Sequence, residues 1–321
     1  MTSRRLVLAL LALAALPTLA AAQTYPEHPI RLIVPYAPGG SADIAARLIA
    51  DDWARALNTT IVIDNRAGAG GNIGIDAVAK SQADGYTIGL QTVSLAINPA
   101  IFPKMPYDTL KDLAPIGMVA SSQHVLVVTA AFPAKDIVSL IAALKSQPGK
   151  YTFGSAGAGS TLHMAAELFK SVSGTNIVHV PYRGGGPALM DTIGGQVDMS
   201  FPVVSAAQQQ IVAGKVRALG VTGPTRSALI PQVPTIAEAG LPGYRFETWF
   251  MVIAPASTPR PIIDKLNATL NQAMATTALK ERMDKEGYEP TPSTPAQARS
   301  KLESELVQWS KLVKERGITA E

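Results

Sequence analysis

The sequence predicts an α/β fold built on mostly parallel sheets. Three observations carry this. Short runs rich in β-branched residues alternate with longer segments of helical spacing. Glycine-rich turns stand where a strand passes into a helix. The pattern then repeats in a second block with no low-complexity linker, and 321 residues suit two domains better than one.

In chain order, the first segment is an address rather than structure. Arg4 and Arg5 form a basic start, residues 6–16 are an unbroken apolar run, and Ala20-Ala21-Ala22 supplies the small-residue pattern that signal peptidase requires. The run is shorter than the roughly 20 residues of a membrane span. Residues 1–22 are therefore expected to be a signal peptide cleaved near Ala22, with Gln23 first in a mature periplasmic chain. Ser3-Arg4-Arg5 leaves both general and twin-arginine export open.

The mature chain opens with a β-rich run at 30–35, followed by a helical segment at 41–57 with Ile44, Leu48 and Trp53 roughly on one face. A strand at 60–63, a helix at 73–80 and a strand at 86–90 complete a β-α-β-α-β order. The second block runs strand 125–129, helix 137–145 stopped by Pro148-Gly149, strand 151–153, and a loop at 154–160 that leads into a helix from Thr161. A strand at 177–180, a helix whose first turn suits Pro187, and a strand at 216–221 follow. A third block holds an extended segment at 249–254 and a helix at 261–277. A closing helix at 295–315 has Leu302, Leu306, Trp309 and Leu312 on one side.

Composition removes several functions. There is no cysteine, which excludes disulfides, thiolate catalysis, thiolate metal ligation and a lipid-modified cysteine. Lys and Arg number 28 against 24 Asp and Glu, two of the arginines lie in the signal segment, and aromatic residues make up 6%. Nucleic-acid binding needs a basic stripe with interleaved aromatics, which is not present. His28, His124, His163 and His179 are scattered and show no i,i+4 pair, so neither a metal nor any other cofactor is expected. Gly157-Ala158-Gly159-Ser160 lacks the glycine two residues after the serine that a nucleophile elbow requires, and no Ser-His-acid set assembles.

Two loops share one design. Tyr36-Ala37-Pro38-Gly39-Gly40-Ser41-Ala42-Asp43 and Gly154-Ser155-Ala156-Gly157-Ala158-Gly159-Ser160-Thr161 each join a strand to a helix. Glycine permits a tight turn and close approach of the backbone to a ligand, and the helix beyond presents free N–H groups and a positive dipole end. Such a terminus suits an anion. Ser41 and Ser160 are the expected N-caps, and His163 is placed to cap or to line a pocket. Neither loop continues as a nucleotide motif. Gly68-Ala69-Gly70-Gly71 reads equally as a turn or a cleft loop, and Arg183, before Gly184-Gly185-Gly186, as a carboxylate partner or a surface charge.

Set in order along the chain, these strings resemble the Bug family of periplasmic solute receptors, the binding components of tripartite tricarboxylate transporters. The resemblance is carried by Pro29-Ile30-Arg31-Leu32-Ile33-Val34-Pro35-Tyr36 with Pro38-Gly39-Gly40, Asp43 and Ala46-Arg47. It continues in Asn65-Arg66-Ala67-Gly68-Ala69-Gly70-Gly71, Asp84-Gly85-Tyr86-Thr87, Asn98-Pro99, His179-Val180-Pro181-Tyr182, Gly195-Gln196-Val197-Asp198, Val233-Pro234-Thr235 and Ala254-Pro255. It implies a two-lobed periplasmic-binding-protein fold of type II, with residues 24–124 plus 248–321 as lobe one and 125–247 as lobe two. It also implies a monomeric, non-enzymatic receptor that binds a small carboxylate between its lobes and delivers it to the permease subunits of a membrane transporter. A ligand-presenting sensor for a membrane kinase would share the site, and a secreted hydrolase, the remaining alternative, would need the Ser-His-acid set that does not assemble. Carried over residue by residue, the resemblance implicates Gly39, Gly40, Ser41 and Asp43 in lobe one, and Ala156, Gly159, Ser160, Thr161 and His163 in lobe two; Tyr36, Pro38 and Arg183 adjoin them.

One string departs from the family. Where relatives commonly read Met-Phe-Asp, this chain has Ser200-Phe201-Pro202. In amino-acid-binding members that Asp faces an ammonium group. With Phe201 and Pro202 at the ligand instead, the expectation is a carboxylate without an ammonium and with an apolar body, such as an aromatic or aliphatic dicarboxylate, unless Asp198 or Glu247 replaces the missing charge.

Overall fold

The computed structural model describes residues 25–319. The signal segment, its cleavage point and Gln23 lie outside the described residues.

Strands β1 (Ile30–Val34), β2 (Ile61–Asn65), β3 (Thr87–Thr92), β4 (Leu113–Ser122), β10 (Thr248–Pro255) and β11 (Tyr288–Pro290) form one sheet in the order β11-β4-β10-β3-β1-β2. Strands β5 (Val125–Thr129), β6 (Thr152–Ser155), β7 (Val178–Pro181), β8 (Met199–Ser200) and β9 (Val216–Val221) form the other, in the order β7-β6-β8-β5-β9. The chain leaves the first sheet after β4 and returns to it in β10. Two lobes are thus joined by two crossings rather than by a tether.

Both sheets are mixed, and the parallel share is smaller than the strand–helix alternation predicts. The β1-β2, β1-β3, β6-β7 and β6-β8 pairs are parallel. The pairs involving β10, β11 or β5 are antiparallel. These strands border the crossings or follow the last one, so they are laid beside their neighbours by the return of the chain and not by a βαβ connection.

The helices follow from apolar spacing and from their ends. Helix α1 (Ser41–Leu57) buries Ala42, Ala45, Ala46, Ile49, Trp53 and Leu57. Ile44 and Leu48, placed on the buried face by the sequence, are only half-buried; small alanines let the helix approach the sheet more closely than they would. Asn58, at φ 54°, ends it in the left-handed conformation. Helices α2 (Asn72–Ala79), α3 (Ser94–Ile101), α4 (Ile137–Ser146), α5 (Thr161–Ser173), α6 (Gly185–Ile193) and α7 (Val204–Val212) follow, then α8 (Arg260–Met274), α9 (Thr277–Lys285) and α10 (Pro295–Arg316). α10 starts with a capping box of Thr294 and Gln297 and buries Leu302, Trp309 and Val313.

One apolar cluster runs from Ile33 and Leu95 through Trp249 and Met251 to Phe153, Phe169 and Phe201. It passes from one lobe to the other. At the crossings themselves, His124 ties three strands together. Its Nδ1 donates to the Phe201 carbonyl at 2.6 Å, so in the neutral ring Nε2 accepts from the Thr248 hydroxyl, also at 2.6 Å. Burial holds its pKa down to about 4, which keeps the ring neutral and this bonding pattern intact.

Candidate functional site: two matched loop–helix junctions

The two loops expected to bind an anion are built alike. Gly39 sits at φ +80° and Gly159 at φ +76°, conformations that glycine adopts without a Cβ penalty. In each, the glycine N–H turns back to a side chain four residues on: Gly39 N donates to Asp43 Oδ2 at 3.0 Å, and Gly159 N donates to His163 Nδ1 at 3.1 Å. The spacing works because residue i+4 lies in the first turn of the helix, directly beneath the loop.

The acceptors differ. Asp43 is buried and also receives Arg47 through Nε at 2.9 Å and Nη2 at 3.0 Å, and Asn65 Nδ2 at 3.0 Å. Burial pushes its pKa up, but the bonds from Arg47, Gly39 and Asn65 outweigh burial and the pKa falls below the ordinary carboxylate value. Asn65 also donates to the Tyr36 carbonyl at 2.9 Å. It reaches both because β2 pairs with β1 in the register Val34↔Asn65. Asp43, expected at the ligand, is therefore committed to protein donors and shapes the loop from below.

His163 is equally committed. Because Nδ1 accepts, the proton of the neutral ring is on Nε2, which faces Glu167 Oε1 at 3.7 Å. Burial, the neighbouring His179 and Lys170 lower its pKa to about 3. The fold brings together two of the histidines that are scattered in the sequence: His163 stacks on His179 at 4.2 Å, and His179 on Phe153 at 4.8 Å. His179 Nε2 lies 2.5 Å from Ser155 Oγ, and that hydroxyl also accepts from Gly157 N at 3.0 Å. A Ser–His pair of this kind invites a hydrolytic reading, but Ser155 is fully buried and its hydroxyl is spent on its own loop.

Capping separates the junctions further. Ser160 is the N-cap of α5, and its hydroxyl accepts from His163 N at 3.3 Å. In lobe one the N-cap is Gly40, not Ser41, which begins the helix. Gly40 has no side chain to occupy the first N–H groups of α1. The lobes meet across these ends. Ala37 N donates to the Arg183 carbonyl at 3.4 Å. Tyr36, Gly40 and Ser41 face Ala156, Thr161, Leu162 and Gly185 around a cavity of about 10 Å³, room for about one water-sized body. Anything larger enters only as the junctions part. Tyr36 holds its place through Ser94 Oγ at 2.5 Å and the Gly70 carbonyl at 3.2 Å.

A larger, mostly apolar cavity of about 650 Å³ adjoins, sharing Ala156 and lined from both lobes by residues that include Gly70, Phe102, Tyr182 and Arg183. Arg183 is exposed and is its sole charged lining residue among the described residues. Pro38 is exposed beside the Gly186 turn of lobe two. Phe201 and Pro202 are not at either cavity. Phe201 is fully buried against Phe169, at 6.0 Å, and the Pro202 carbonyl accepts from Val125 N at 2.9 Å, so both belong to the core and sheet near the crossings. Asp198 and Glu247 line neither cavity: Asp198 accepts from Thr152 N at 2.7 Å, and Glu247 pairs with Arg245 at 3.0 Å. The i+4 partnership of glycine and acceptor, Gly39 with Asp43 and Gly159 with His163, is a signal the sequence contains. Leu162 and Gly185 carry no comparable signal.

The comparisons with known proteins bear on the family and the fold. BugT of Bordetella pertussis (strain Tohama I) is 40% identical over 298 residues, 92% of this chain and 91% of that protein. The structure of the periplasmic binding protein BugD superposes with a TM-score of 0.89 at 33% identity, covering 92% of this chain and all of that one. The R. palustris protein Rpa4515, solved with adipate, superposes with a TM-score of 0.88 at 35% identity, covering 92% and 99%. The sequence pattern of the tripartite tricarboxylate transporter family receptor matches residues 45–318. This chain therefore belongs to the tripartite tricarboxylate transporter receptor family, that of the Bug proteins, and is a periplasmic-type solute receptor.

Proposed function

We propose that this receptor binds a small carboxylate at the facing ends of α1 and α5 and releases it unchanged to the permease subunits of a tripartite tricarboxylate transporter. The observation that supports this best is the uncapped N-terminus of α1, with Gly40 and Ser41 turned toward the matching junction of lobe two. The ligand contacts are Gly39, Gly40 and Ser41 on one side and Ala156, Gly159, Ser160 and Thr161 on the other. Tyr36, Asp43 and His163 hold these loops in shape. The lobes are residues 24–124 with 248–321, and 125–247. The mature protein starts at Gln23 in the periplasm and acts as a monomer.

The ligand's body lies in the adjoining apolar cavity, where Arg183 offers a guanidinium to a second carboxylate. Neither Asp198 nor Glu247 lines these cavities to meet an ammonium. This favours a dicarboxylate with a hydrocarbon middle; adipate is the ligand solved with Rpa4515. Calorimetry with adipate, terephthalate, citrate, aspartate and glutamate tests the reading. Tighter binding of either amino acid than of all three plain carboxylates overturns it. Recovery of chemically altered ligand would overturn the receptor role.

A further inference from the structure

The lobes also touch backbone to backbone, beside the ligand site but through contacts that do not involve the amides offered to an anion. A Cβ built on Gly70 of lobe one would lie 1.8 Å from the Ala158 carbonyl oxygen of lobe two. A Cβ built on Gly159 of lobe two would lie 2.2 Å from Asn98 Oδ1 of lobe one. No side chain fits at such distances, so in this arrangement both positions require glycine. The contacts are reciprocal. Each lobe offers a glycine Cα to an oxygen of the other, the arrangement of weak Cα–H···O contacts. A Cβ on Gly70 would also lie 3.4 Å from the Phe102 ring, and one on Gly159 would lie 2.9 Å from it.

Asn98 joins these contacts to the framework of lobe one. It is fully buried in α3. Its Nδ2 donates to the Gly70 carbonyl at 3.2 Å and to Asn72 Oδ1 at 2.7 Å. Tyr107 donates to the same Asn72 oxygen at 2.8 Å, and Tyr36 to the same Gly70 carbonyl. With both amide hydrogens facing acceptors, the Asn98 amide cannot turn over. Its Oδ1 is left pointing at Gly159 with no N–H or O–H partner among the described residues. A buried acceptor left in that condition costs its full desolvation penalty and calls for a reason. What faces it is the second anion loop.

We propose that Asn98 is a positioning residue of lobe closure: its Nδ2 seats Gly70 and its Oδ1 receives Gly159, so that the closed state is reached only with glycine at 70 and 159. The significance of closure rests on the receptor reading, whereas the contacts do not. Closure of this kind governs how long a ligand is held, since dissociation waits for the lobes to part.

The chain has no cysteine, so Val62→Cys in β2 and Met190→Cys in α6, both exposed, take one spin label per lobe. Dipolar distance measurement then reads lobe separation with and without adipate. Asn98→Ala, Gly70→Ala and Gly159→Ala are each expected to deplete the short-distance population. Gly174→Ala is the control: it forces alanine to φ +64° with nothing within 4 Å, and the distribution is expected to stay that of the parent. The two glycine variants carry the test if Asn98→Ala does not fold. Both are also expected to speed adipate dissociation about tenfold, with association little changed. A parental distance distribution in Gly70→Ala and Gly159→Ala overturns the proposal, and so does a parent protein that never shows the short distance. If adipate shifts no distribution, it is the carboxylate reading for this ligand that fails, and the ligand-free comparison of the glycine variants still decides the latch.

Discussion

The junction of lobe one and the junction of lobe two perform the same backbone manoeuvre with different chemistry. Both turn at a glycine of positive φ and fasten its N–H four residues on. Lobe one uses an ionised carboxylate balanced by Arg47 and leaves the end of its helix without a side-chain cap. Lobe two uses a neutral imidazole stacked on the half-buried His179 and spends one helix amide on Ser160. The loop shape can thus be produced by either kind of acceptor, while the amides left for a ligand depend on the cap. Lobe one leaves more of its helix amides free, and lobe two is the more pH-sensitive support.

The largest effect that separates the junctions is expected from Asp43→Ala. It leaves Gly39 N–H and Asn65 Nδ2 without their acceptor and Arg47 without its partner. A loss of about 2 kcal/mol in urea unfolding is expected, because Arg47 is half-exposed and water replaces part of the pair. Adipate affinity should fall with it. Unchanged stability would mean that Asp43 does not support the loop.

Acidification should act first on lobe two and on the crossing at His124. His124, His163 and His179 have pKa values lowered from 6.5 to about 4, about 3 and about 4, in each case chiefly by burial. The unfolded chain takes up these protons before the folded one does. Their stabilisation is therefore complete above pH 6.5 and is lost as pH falls through about 4 and about 3. Asp43 begins to contribute to this loss only near and below the ordinary carboxylate value of 3.8. His163→Gln, which can retain a neutral acceptor for Gly159 N–H, is expected to give a shallower fall in melting temperature between pH 6.5 and 4. An unchanged slope would remove His163 from the account.

The caps give the smaller effects. Ser160→Ala should cost about 1 kcal/mol, the usual worth of an N-cap hydroxyl, measured by chemical denaturation. Gly40→Ser tests the converse. A Cβ at Gly40 meets only ordinary contacts, 3.6 Å from the Ala37 carbonyl oxygen, so the variant should fold and gain a few tenths of a kcal/mol. It should also bind adipate several-fold more weakly, because the new hydroxyl takes up a helix amide. Tighter binding would show that the free amides of α1 are not where the carboxylate sits.

Much of the fold was legible because apolar periodicity is local. β1 and α5 stand close to where their spacing places them, and Ser160 caps as expected. The misses have local causes. α3, which no expected element covers, carries Pro99 as its sixth residue; the helical bond to the Leu95 carbonyl is lost there, and that carbonyl accepts from Thr109 Oγ1 at 3.4 Å instead. The helix expected over 261–277 stops at Met274 and restarts at Thr277, a break with no glycine or proline to announce it. β8, two residues long, is a strand only because β5 and β6 flank it.

By itself the sequence determined the α/β class, the two glycine loops, the helices they feed and the family, all of which rest on residue type and short spacing. Only the tertiary structure decided what each candidate residue touches. Asp43 looks like a ligand group in a linear chain; its i+4 partners Gly39 and Arg47 are legible there, but Asn65, 22 positions away, is not. Phe201 and Pro202 look like pocket residues until β5 and the core cover them. Gly70 and Asn98 look like turn and helix residues until the other lobe arrives opposite them. The physical reason is common to all three. A polar or conformational requirement is met by whichever group is nearest in space, and spatial nearness between residues 22 to 88 positions apart is set by strand order and by the two crossings, which no local pattern specifies.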